Sequence, residues 1–483
     1  MAEPRQRRLI PFLILGMLAS SSLARGQSLL PLTEEQEPLP AADCVDCQFP
    51  EDSQPRPHRS LLDQFLGRGE SSADDSNSTG AGSTNEGALS GNPGATDLSV
   101  GSGWLGDRLG INRKGFRFGG LNVTDANGQF TGGAAPGVWT GGSLTILDLS
   151  LDTEECLGWK GGKCGAEFLF FGSGTINDNA GTVMGYSSLD AGPPRSRAEI
   201  YTLWYRQYFL DQKFMVRIGK LVPMADFNNV VRSTRFSNES YNISGLSSAV
   251  LAPLYVAPTM LGVMPGYYNS ATGLTCSFSP NKTLYAQYGL YDGNVAAGRQ
   301  TGLEGPNFNS YNFHIVEGGA NWTIGPENKP GKFGAGYWKQ TGLLSAPGGD
   351  VRGAEGMYLF ASHRLYYEQP GENNNGLSTY AQFGATNSDF ISTHRFVGYG
   401  LTYFGPLAGR DDDSAGFAMA YGRMNNDPAA ALGRQELIYT WYYQIQVNSN
   451  CFVQPNLTYI STPASSPGQN DVFALTLRAA LLF

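Results

Sequence analysis

Apolar and polar residues alternate along most of residues 116–483, and the last stretch shows the pattern most clearly. Between Phe473 and Phe483 every second residue is apolar, whereas Arg478 lies on the opposite face. A period of two is that of a β-strand, in which successive side chains point to opposite sides of the sheet. We therefore predict a closing strand that ends on Phe483 and places this aromatic residue on the apolar face.

Sixteen stretches with this alternation are predicted to be strands. They are residues 116–123, 143–153, 163–172, 199–209, 213–221, 271–279, 283–291, 311–323, 332–341, 355–368, 377–385, 395–404, 414–423, 435–447, 451–460 and 471–483. Most are close in length to the roughly 9–11 residues that a tilted strand needs to cross a bilayer.

The connections between these strands alternate in length. Residues 210–212, 280–282 and 448–450 are short enough for tight turns. The long connections are residues 173–198, 222–270, 292–310, 342–354, 424–434 and 461–470. Short turns at one end and long loops at the other are typical of outer-membrane barrels. We predict an all-β fold, a closed transmembrane antiparallel barrel of about 16 strands in the outer membrane, with Phe483 facing lipid; a secreted β-rich protein is the alternative.

The N-terminal region lacks this alternation. Residues 1–26 have the basic start, short apolar run and small-residue end of a signal peptide, and the run is too short to span a membrane. Residues 27–100 are predicted to be a low-complexity periplasmic extension. It contains a short helix at 61–66 and a disordered linker at 71–94, because so polar a segment cannot bury a core. The barrel is assigned to residues 101–483.

Composition narrows the function. The chain has 63 glycines, 12% aromatic residues and only 41% hydrophobic residues, as expected when alternate side chains face a wet lumen. The formal net charge is −9, which disfavours a nucleic-acid partner. No predicted strand is rich in lysine, so a phosphate-selective pore is not indicated.

No catalytic or metal site is evident. The four histidines, His58, His314, His363 and His394, show no ligand spacing, and no nucleophile elbow accompanies them. Cys44 and Cys47 form an isolated CxxC pair. We interpret them as a local disulfide or as inert thiols rather than as a redox or zinc-binding motif. We predict no enzyme activity, no cofactor and no metal.

Several short motifs follow one another in a recognisable order. They are WLGDR at 104–108, LGWKGG at 157–162, LWYRQ at 203–207, RIGKL at 217–221, GRDDD at 409–413 and QPNL at 454–457. Their order and spacing resemble those of the OprB-type carbohydrate-selective porins, over roughly residues 104–483. The resemblance implies passive diffusion of mono- or small oligosaccharides across the outer membrane, with lipid and sugars as partners, and leaves a homo-oligomer open. A porin for other solutes, a general porin and a structural surface barrel are the alternatives.

Because successive side chains of a strand point to opposite faces, the sequence predicts which candidate solute-binding side chains face the lumen. Asp148, Arg217, Glu317 and Arg478 each lie between outward-facing apolar neighbours and are predicted to face inward. Guanidinium groups suit sugars, because they donate several hydrogen bonds in fixed directions. Simple solvation of these charges in the lumen is the alternative.

The connection 222–270 is the longest within the barrel and carries Asp226, Asn228 and Asn229. A 16-stranded barrel encloses an aqueous channel, and an inward-folded loop is a means of narrowing it. We predict that these three residues join Arg217 and Arg478 at a constriction.

Two turns carry further chemistry. Cys156 and Cys164 flank the turn around Lys160, and we predict a disulfide between them if their Cα atoms lie within about 7 Å. The GRDDD segment is predicted to be a solvated polar turn, with charge pairing across the rim as the alternative.

Overall fold

The computed structural model describes residues 100–190, 193–228, 230, 234–236, 239–241, 257–266, 269–370 and 375–483. The predicted signal peptide, the extension up to residue 99 with its helix at 61–66, and Cys44 and Cys47 lie outside the described residues. No helix within the described ranges is long and apolar enough to cross a membrane.

The described chain is built almost entirely from strands. They are β1 (Phe116–Thr131), β2 (Trp139–Asp152), β3 (Gly162–Ser173), β4 (Ser196–Phe209), β5 (Phe214–Leu221), β6 (Thr234–Phe236), β7 (Glu239–Tyr241), β8 (Ala271–Phe278), β9 (Leu284–Asp292), β10 (Asn312–Ile324), β11 (Lys329–Ala346), β12 (Gly349–Tyr367), β13 (Gly376–Thr386), β14 (Thr393–Phe404), β15 (Ser414–Met424), β16 (Gln435–Asn448), β17 (Cys451–Ser461) and β18 (Val472–Leu482). Short helices cover Trp104–Arg108 (α1), Thr153–Leu157 (α2), Ile176–Ala180 (α3) and Pro223–Asp226 (α4), and 3-10 turns cover Pro258–Met260, Asn294–Ala297 and Pro428–Ala430.

Sixteen of these strands form one closed antiparallel barrel, as predicted. Each strand pairs with its neighbour in the chain, β5 pairs with β8, and β18 returns to pair with β1. The strands β6 and β7 form a separate two-stranded sheet within the β5–β8 connection. The short β4–β5, β8–β9, β10–β11 and β16–β17 connections lie at one end of the barrel. The longest connections, β3–β4, β5–β8 and β9–β10, lie at the other end, which is therefore the extracellular end, although the β11–β12 turn there is short.

Side-chain parity gives the barrel its two faces. In β16, Trp441 is exposed on the outer face, whereas its neighbours Thr440 and Tyr442 are buried on the inner face. Since closure pairs the backbone polar groups of every strand, side chains alone decide which face meets lipid. The outer face is therefore apolar and the inner face is largely polar.

The predicted loop 342–354 is wrong. There, β11 and β12 extend into one long hairpin whose strands are separated only by residues 347–348. A bulge between Gln340 and Leu343 shifts the register, and Gly342 adopts a positive φ of 107°. The bulge interrupts the two-residue period, which is why the alternation ended early in the sequence.

The segment before β1 seals the junction between the first and last strands. The Trp104 indole Nε1–H of α1 donates to the Leu482 carbonyl at 2.8 Å. The Phe483 N–H donates to the Gly120 carbonyl at 2.8 Å, and the Phe483 carbonyl accepts the Gly120 and Gly103 N–H groups at 2.7 and 3.2 Å. Phe483 has the outward parity predicted for it, but the residue is only 9% exposed, and its ring lies over Gly120, which has no side chain.

The predicted Cys156–Cys164 disulfide is not formed. Both residues are free thiols. Cys156 lies on α2, where its thiol donates to the Lys114 carbonyl, whereas Cys164 lies on β3 with the outward parity of its register partner Leu151. The two sulfurs therefore belong to different local surfaces.

The GRDDD turn pairs its charges rather than only solvating them. Arg410 binds the Asp413 carboxylate in a bidentate manner, with N···O distances of 2.9 and 2.7 Å. Asp413 also accepts from the Tyr443 hydroxyl and the Gln446 N–H, at 2.7 and 2.9 Å. Although burial raises the pKa of Asp413, these hydrogen bonds outweigh it and the net pKa is lowered. The turn thus fixes the periplasmic ends of β15 and β16.

Candidate functional site

The lumen is narrowed by two long extracellular loops that fold inward. The β3–β4 loop buries Ile176 and Tyr186, and the β5–β8 loop buries Phe227 and Met260, each at 0% exposure. All four join one apolar cluster with inward-facing wall residues. A loop that packs against the inner wall occupies part of the channel, so these two loops define the constriction.

The β5–β8 loop begins with an ion pair. The Arg217 Nη1 of β5 lies 3.1 Å from the Asp226 Oδ1 of α4, and both side chains are 1% exposed. Asp226 also accepts from the Thr275 hydroxyl of β8 at 2.7 Å. The guanidinium carbon of Arg217 lies 5.7 Å from the centre of the Trp204 ring. Arg217 faces inward as predicted, and it contacts the loop through Asp226 and the wall through Trp204.

Glu317 of β10 holds the same loop from the neighbouring wall. Its carboxylate accepts the Asn228 backbone N–H at 2.7 Å and the Tyr358 hydroxyl at 2.7 Å. It also accepts from Gln287 Nε2 at 2.9 Å and from the Tyr285 hydroxyl at 3.1 Å. Four donors around one buried carboxylate compensate for its lost hydration.

Gln287 joins these two clusters, because its amide also donates to the Asp226 carbonyl at 2.8 Å. The structure thus brings together four predicted site residues, Arg217, Asp226, Asn228 and Glu317. Asn228 adopts a positive φ of 50°, and its side-chain Oδ1 has no hydrogen-bond partner among the described residues. Asn229 lies outside the described residues.

Glu436 of β16 binds the β3–β4 loop to the barrel wall, as Glu317 does for the β5–β8 loop. Its carboxylate accepts the Thr182 hydroxyl at 2.6 Å and the Met184 and Val183 N–H groups at 2.9 and 3.0 Å. It accepts the Ala464 N–H of the β17–β18 loop at 2.9 Å as well. The β3–β4 loop therefore crosses the lumen to the far wall.

Arg478 fixes the same loop from β18. It binds Asp125 of β1 through two hydrogen bonds of 2.7 Å and donates to the Ser188 hydroxyl at 2.9 Å. Nearby, the Tyr186 hydroxyl donates to Asn127 of β1 at 2.9 Å. Arg478 faces inward as predicted, but it anchors the β3–β4 loop and not the β5–β8 loop.

Asp148 lies near the periplasmic end of β2, away from both loops. It faces inward as predicted and forms an ion pair of 2.9 Å with Arg117 of β1. It also accepts the Val100 N–H at 3.2 Å. These contacts hold the segment that precedes β1.

Sequence reasoning missed Glu436 and Asp125 as site residues. Glu436 is the one carboxylate among the inward residues of β16. This lone charge on the inner face could have marked it as a site residue. Asp125 lies beyond residue 123, where the predicted first strand ended. The outward residues after this point include Thr124 and Gly128, which are not apolar enough to show the alternation between the two faces.

The described residues contain no group of three or more His, Cys, Asp and Glu side chains that could hold a metal ion. The lumen instead offers paired charges, amides, hydroxyls and aromatic rings. For example, the guanidinium carbon of Arg364 lies 4.5 Å from the Tyr367 ring centre and 5.1 Å from that of Phe404. Such a surface can donate and accept hydrogen bonds along a polyhydroxylated solute.

The sequence profile of the carbohydrate-selective porin OprB family matches residues 145–483, which is most of the chain. This chain belongs to the OprB family. It is accordingly an outer-membrane porin of the carbohydrate-selective class, as the motifs at 157–162, 203–207 and 409–413 predicted. No curated protein matches the chain in a sequence search.

Solved structures share the barrel fold. The high-pH structure of Pseudomonas putida OprB matches with a TM-score of 0.67 at 19% identity, covering 80% of this chain and 100% of that one. The low-pH structure of the same protein gives a TM-score of 0.47 at 17% identity over 80% of this chain and 100% of that one. For Pseudomonas aeruginosa OccK1 the TM-score is 0.42 at 11% identity, covering 76% of this chain and 98% of that one. At these identities the first match supports the fold alone.

Proposed function

We propose that the protein lets small uncharged carbohydrates diffuse passively through the lumen, and that the two inward loops select them. The observation that carries the proposal is the pairing of buried charge around these loops. Arg217 pairs with Asp226, and Arg478 pairs with Asp125. Paired charges exert little net field along a channel, so the constriction favours neutral polar solutes over ions.

We assign different roles to the predicted site residues. Arg217, Asp226, Glu317 and Arg478 position the loops, since each is bonded to a loop or to the wall beside it. Asn228 is assigned to the constriction through its backbone N–H, which Glu317 binds. Asn229 is assigned to the same constriction from its position in the chain.

Asp148 is assigned a structural role at the periplasmic end, which its contacts with Arg117 and Val100 support. We further propose that the protein is a channel and not an enzyme, because the barrel and the family indicate transport.

Swelling of liposomes that contain the purified protein tests the proposal. The panel compares glucose with glucose 6-phosphate and with arginine hydrochloride, and protein-free liposomes serve as the control. We expect glucose to enter fastest, because the arginines that hold the loops are paired with aspartates, and the carboxylates of Glu317 and Glu436 are enclosed by hydrogen-bond donors. Equal or faster entry of a charged solute would favour the general porin, and no entry of any solute would favour the structural barrel.

A further inference from the structure

The outer face of the barrel carries a band of basic residues at its extracellular edge. Lys339 of β11, Arg352 of β12, Arg395 of β14 and Arg423 of β15 lie on this face, and Arg434, just before β16, lines the same concave site as Arg423. These five residues form the basic rim, and all of them are exposed. Register pairing gives Lys339 and Arg395 the outward parity of their partners, Glu355 and Arg423. Arg352 faces outward because it is opposite the exposed Leu343 across the bulge.

The basic rim lies directly above the lipid-facing apolar band. Two residues below Lys339, Tyr337 pairs with Met357, and both are exposed. Two residues from Arg395 and Arg423, Val397 pairs with Tyr421 on the same face. Since the rim is at the extracellular end, its height is that of the outer-leaflet headgroups.

One acidic residue lies opposite the basic rim in the strand register, Glu355 beside Lys339. Within the described part of the chain, none of the five side chains forms an ion pair or a hydrogen bond. Arg395 and Arg423 are direct register partners, and like charges opposite each other on one face of a sheet are destabilising. An anion between these two side chains would remove that repulsion.

Two concave sites lie on the basic rim. One is lined by Lys339 and Arg352 together with Tyr337 and Met357. The other is lined by Arg423 and Arg434 together with Tyr421 and Leu432. Each site thus contains two cations and one carboxylate, Glu355 in the first and Asp427 in the second. The outward side chains beside them are Tyr337 and Met357 in the first site and Tyr421 in the second.

The rest of the molecule does not share this charge. The whole chain has a net charge of −9. In the sector of β1, β2 and β18, the extracellular ends present Phe130, Trp139 and Phe473, and the Phe130 ring contacts the rings of the other two. Asp471 lies just beyond Phe473 and accepts from the Tyr459 hydroxyl. The basic rim is thus a local feature of one sector.

We infer that the basic rim binds the phosphate groups of an anionic glycolipid of the outer leaflet. Guanidinium groups bind phosphate through paired hydrogen bonds, which suits Arg395, Arg423 and Arg434. The apolar walls of the two concave sites favour a lipid over a free anion, because acyl chains would continue along the outer face below them. The inferred site is separate from the lumen and does not depend on the transported solute.

The test measures binding of bisphosphorylated lipid A to the full-length protein in detergent micelles by native mass spectrometry. The variant R395Q/R423Q/R434Q is compared with R108Q/R113Q/K114Q, which removes the same charge from exposed positions at the periplasmic end. Each basic residue near an anionic membrane surface contributes roughly fivefold to affinity, so we expect at least a tenfold loss in the rim variant. The control should bind like the wild type, and R395K/R423K/R434K should retain most of the affinity because it keeps the charge.

Heat-modifiable gel mobility confirms that each variant is folded before binding is measured. Wild-type affinity in R395Q/R423Q/R434Q would overturn the inference. So would equal binding of dephosphorylated lipid A, or displacement of lipid A by an equal concentration of inorganic phosphate. A change in the number of protein copies per particle in the rim variant would instead assign this face to contacts between copies, and would also overturn it.

Discussion

The buried charged residues of the lumen act through the backbone segments that they hold. Glu317 accepts the Asn228 N–H, and Glu436 accepts the Val183 and Met184 N–H groups. A wall carboxylate that binds loop amides fixes the loop in one position against the barrel. We therefore expect the width of the pore to depend on single side chains that need not touch the solute.

Arg217→Ala should release the start of the β5–β8 loop. Removal of one partner from a buried ion pair costs about 3–5 kcal/mol, largely because the other charge is left unpaired. In this variant the charge left without its ion-pair partner is that of Asp226. We expect higher single-channel conductance and a weaker preference for glucose over an uncharged non-sugar of similar size.

Asp226→Asn tests the same pair from its other side and should produce the same direction of change. The exposed Lys213→Ala in the β4–β5 turn is a control that removes one positive charge without touching the loop. Wild-type conductance and sugar preference in Arg217→Ala would show that the pair does not set the pore.

Glu436→Gln should loosen the β3–β4 loop. The glutamine NH₂ group cannot accept a hydrogen bond, so some of the four donors now bound by the carboxylate lose their acceptor. Each buried donor left unsatisfied costs about 1–3 kcal/mol. Planar-bilayer recordings should show larger or noisier open-channel currents, whereas the exposed Glu154→Gln should behave like the wild type.

The individual contacts could be predicted from the sequence only in part. Parity placed Arg217, Glu317 and Arg478 in the lumen, because the two-residue period fixes the direction of each side chain in a strand. Their partners could not be predicted. Asp226 and Ser188 lie on irregular loops, where no period relates sequence position to direction.

At the scale of the elements, close packing between segments depends on glycines, which have no side chain to separate the two backbones. Gly106 of α1 is one such position, since a Cβ there would lie 2.2 Å from the Asn112 Oδ1 and 2.5 Å from the Phe118 carbonyl. The segment before β1 can therefore lie against the β1–β18 junction only if this residue has no side chain.

Gly106→Ala should displace α1 from the barrel wall. The Trp104 bond to Leu482 would be strained or lost, and a net hydrogen bond is worth about 0.5–1.5 kcal/mol, to which the steric clash adds. We expect a lower temperature for the heat-modifiable shift in gel mobility. In contrast, Gly172→Ala should have little effect, because its added Cβ would meet only ordinary van der Waals contacts.

Deletion of Phe483 should lower the amount of folded barrel in the membrane. The residue closes β18 onto β1 through its N–H and carbonyl groups, and its ring covers Gly120. Membrane fractions analysed by heat-modifiable mobility report the folded fraction. Phe483→Leu keeps the backbone bonds and should fall between the deletion and the wild type; unchanged assembly after deletion would remove this role for Phe483.

The elements were predictable wherever one face was apolar. All 16 barrel strands were predicted, because lipid outside and polar groups inside impose a strict two-residue period. The errors occur where that contrast ends. The long β11–β12 hairpin carries a bulge at Gly342, and the first strand continues through Asp125 and Asn127, beyond its apolar stretch.

At the scale of the whole molecule, closure and loop packing together produce the channel. The β3–β4 loop reaches Glu436 and Arg478 on one side, while the β5–β8 loop is bonded to Glu317 on the other. The barrel sets the outer limit of the pore and the two loops set the inner one. This arrangement could be anticipated for the longer loop, but not for the β3–β4 loop, whose residues lack any pattern that predicts inward folding.

Liposome swelling with glucose and with tetraethylene glycol, two uncharged solutes of similar size, measures whether this lumen prefers sugars to other neutral solutes. We predict that glucose enters faster through the wild type, because its hydroxyl groups can both donate to and accept from the polar lining of the lumen, and that the difference shrinks in Arg217→Ala. Equal entry of both solutes through the wild type would contradict the account.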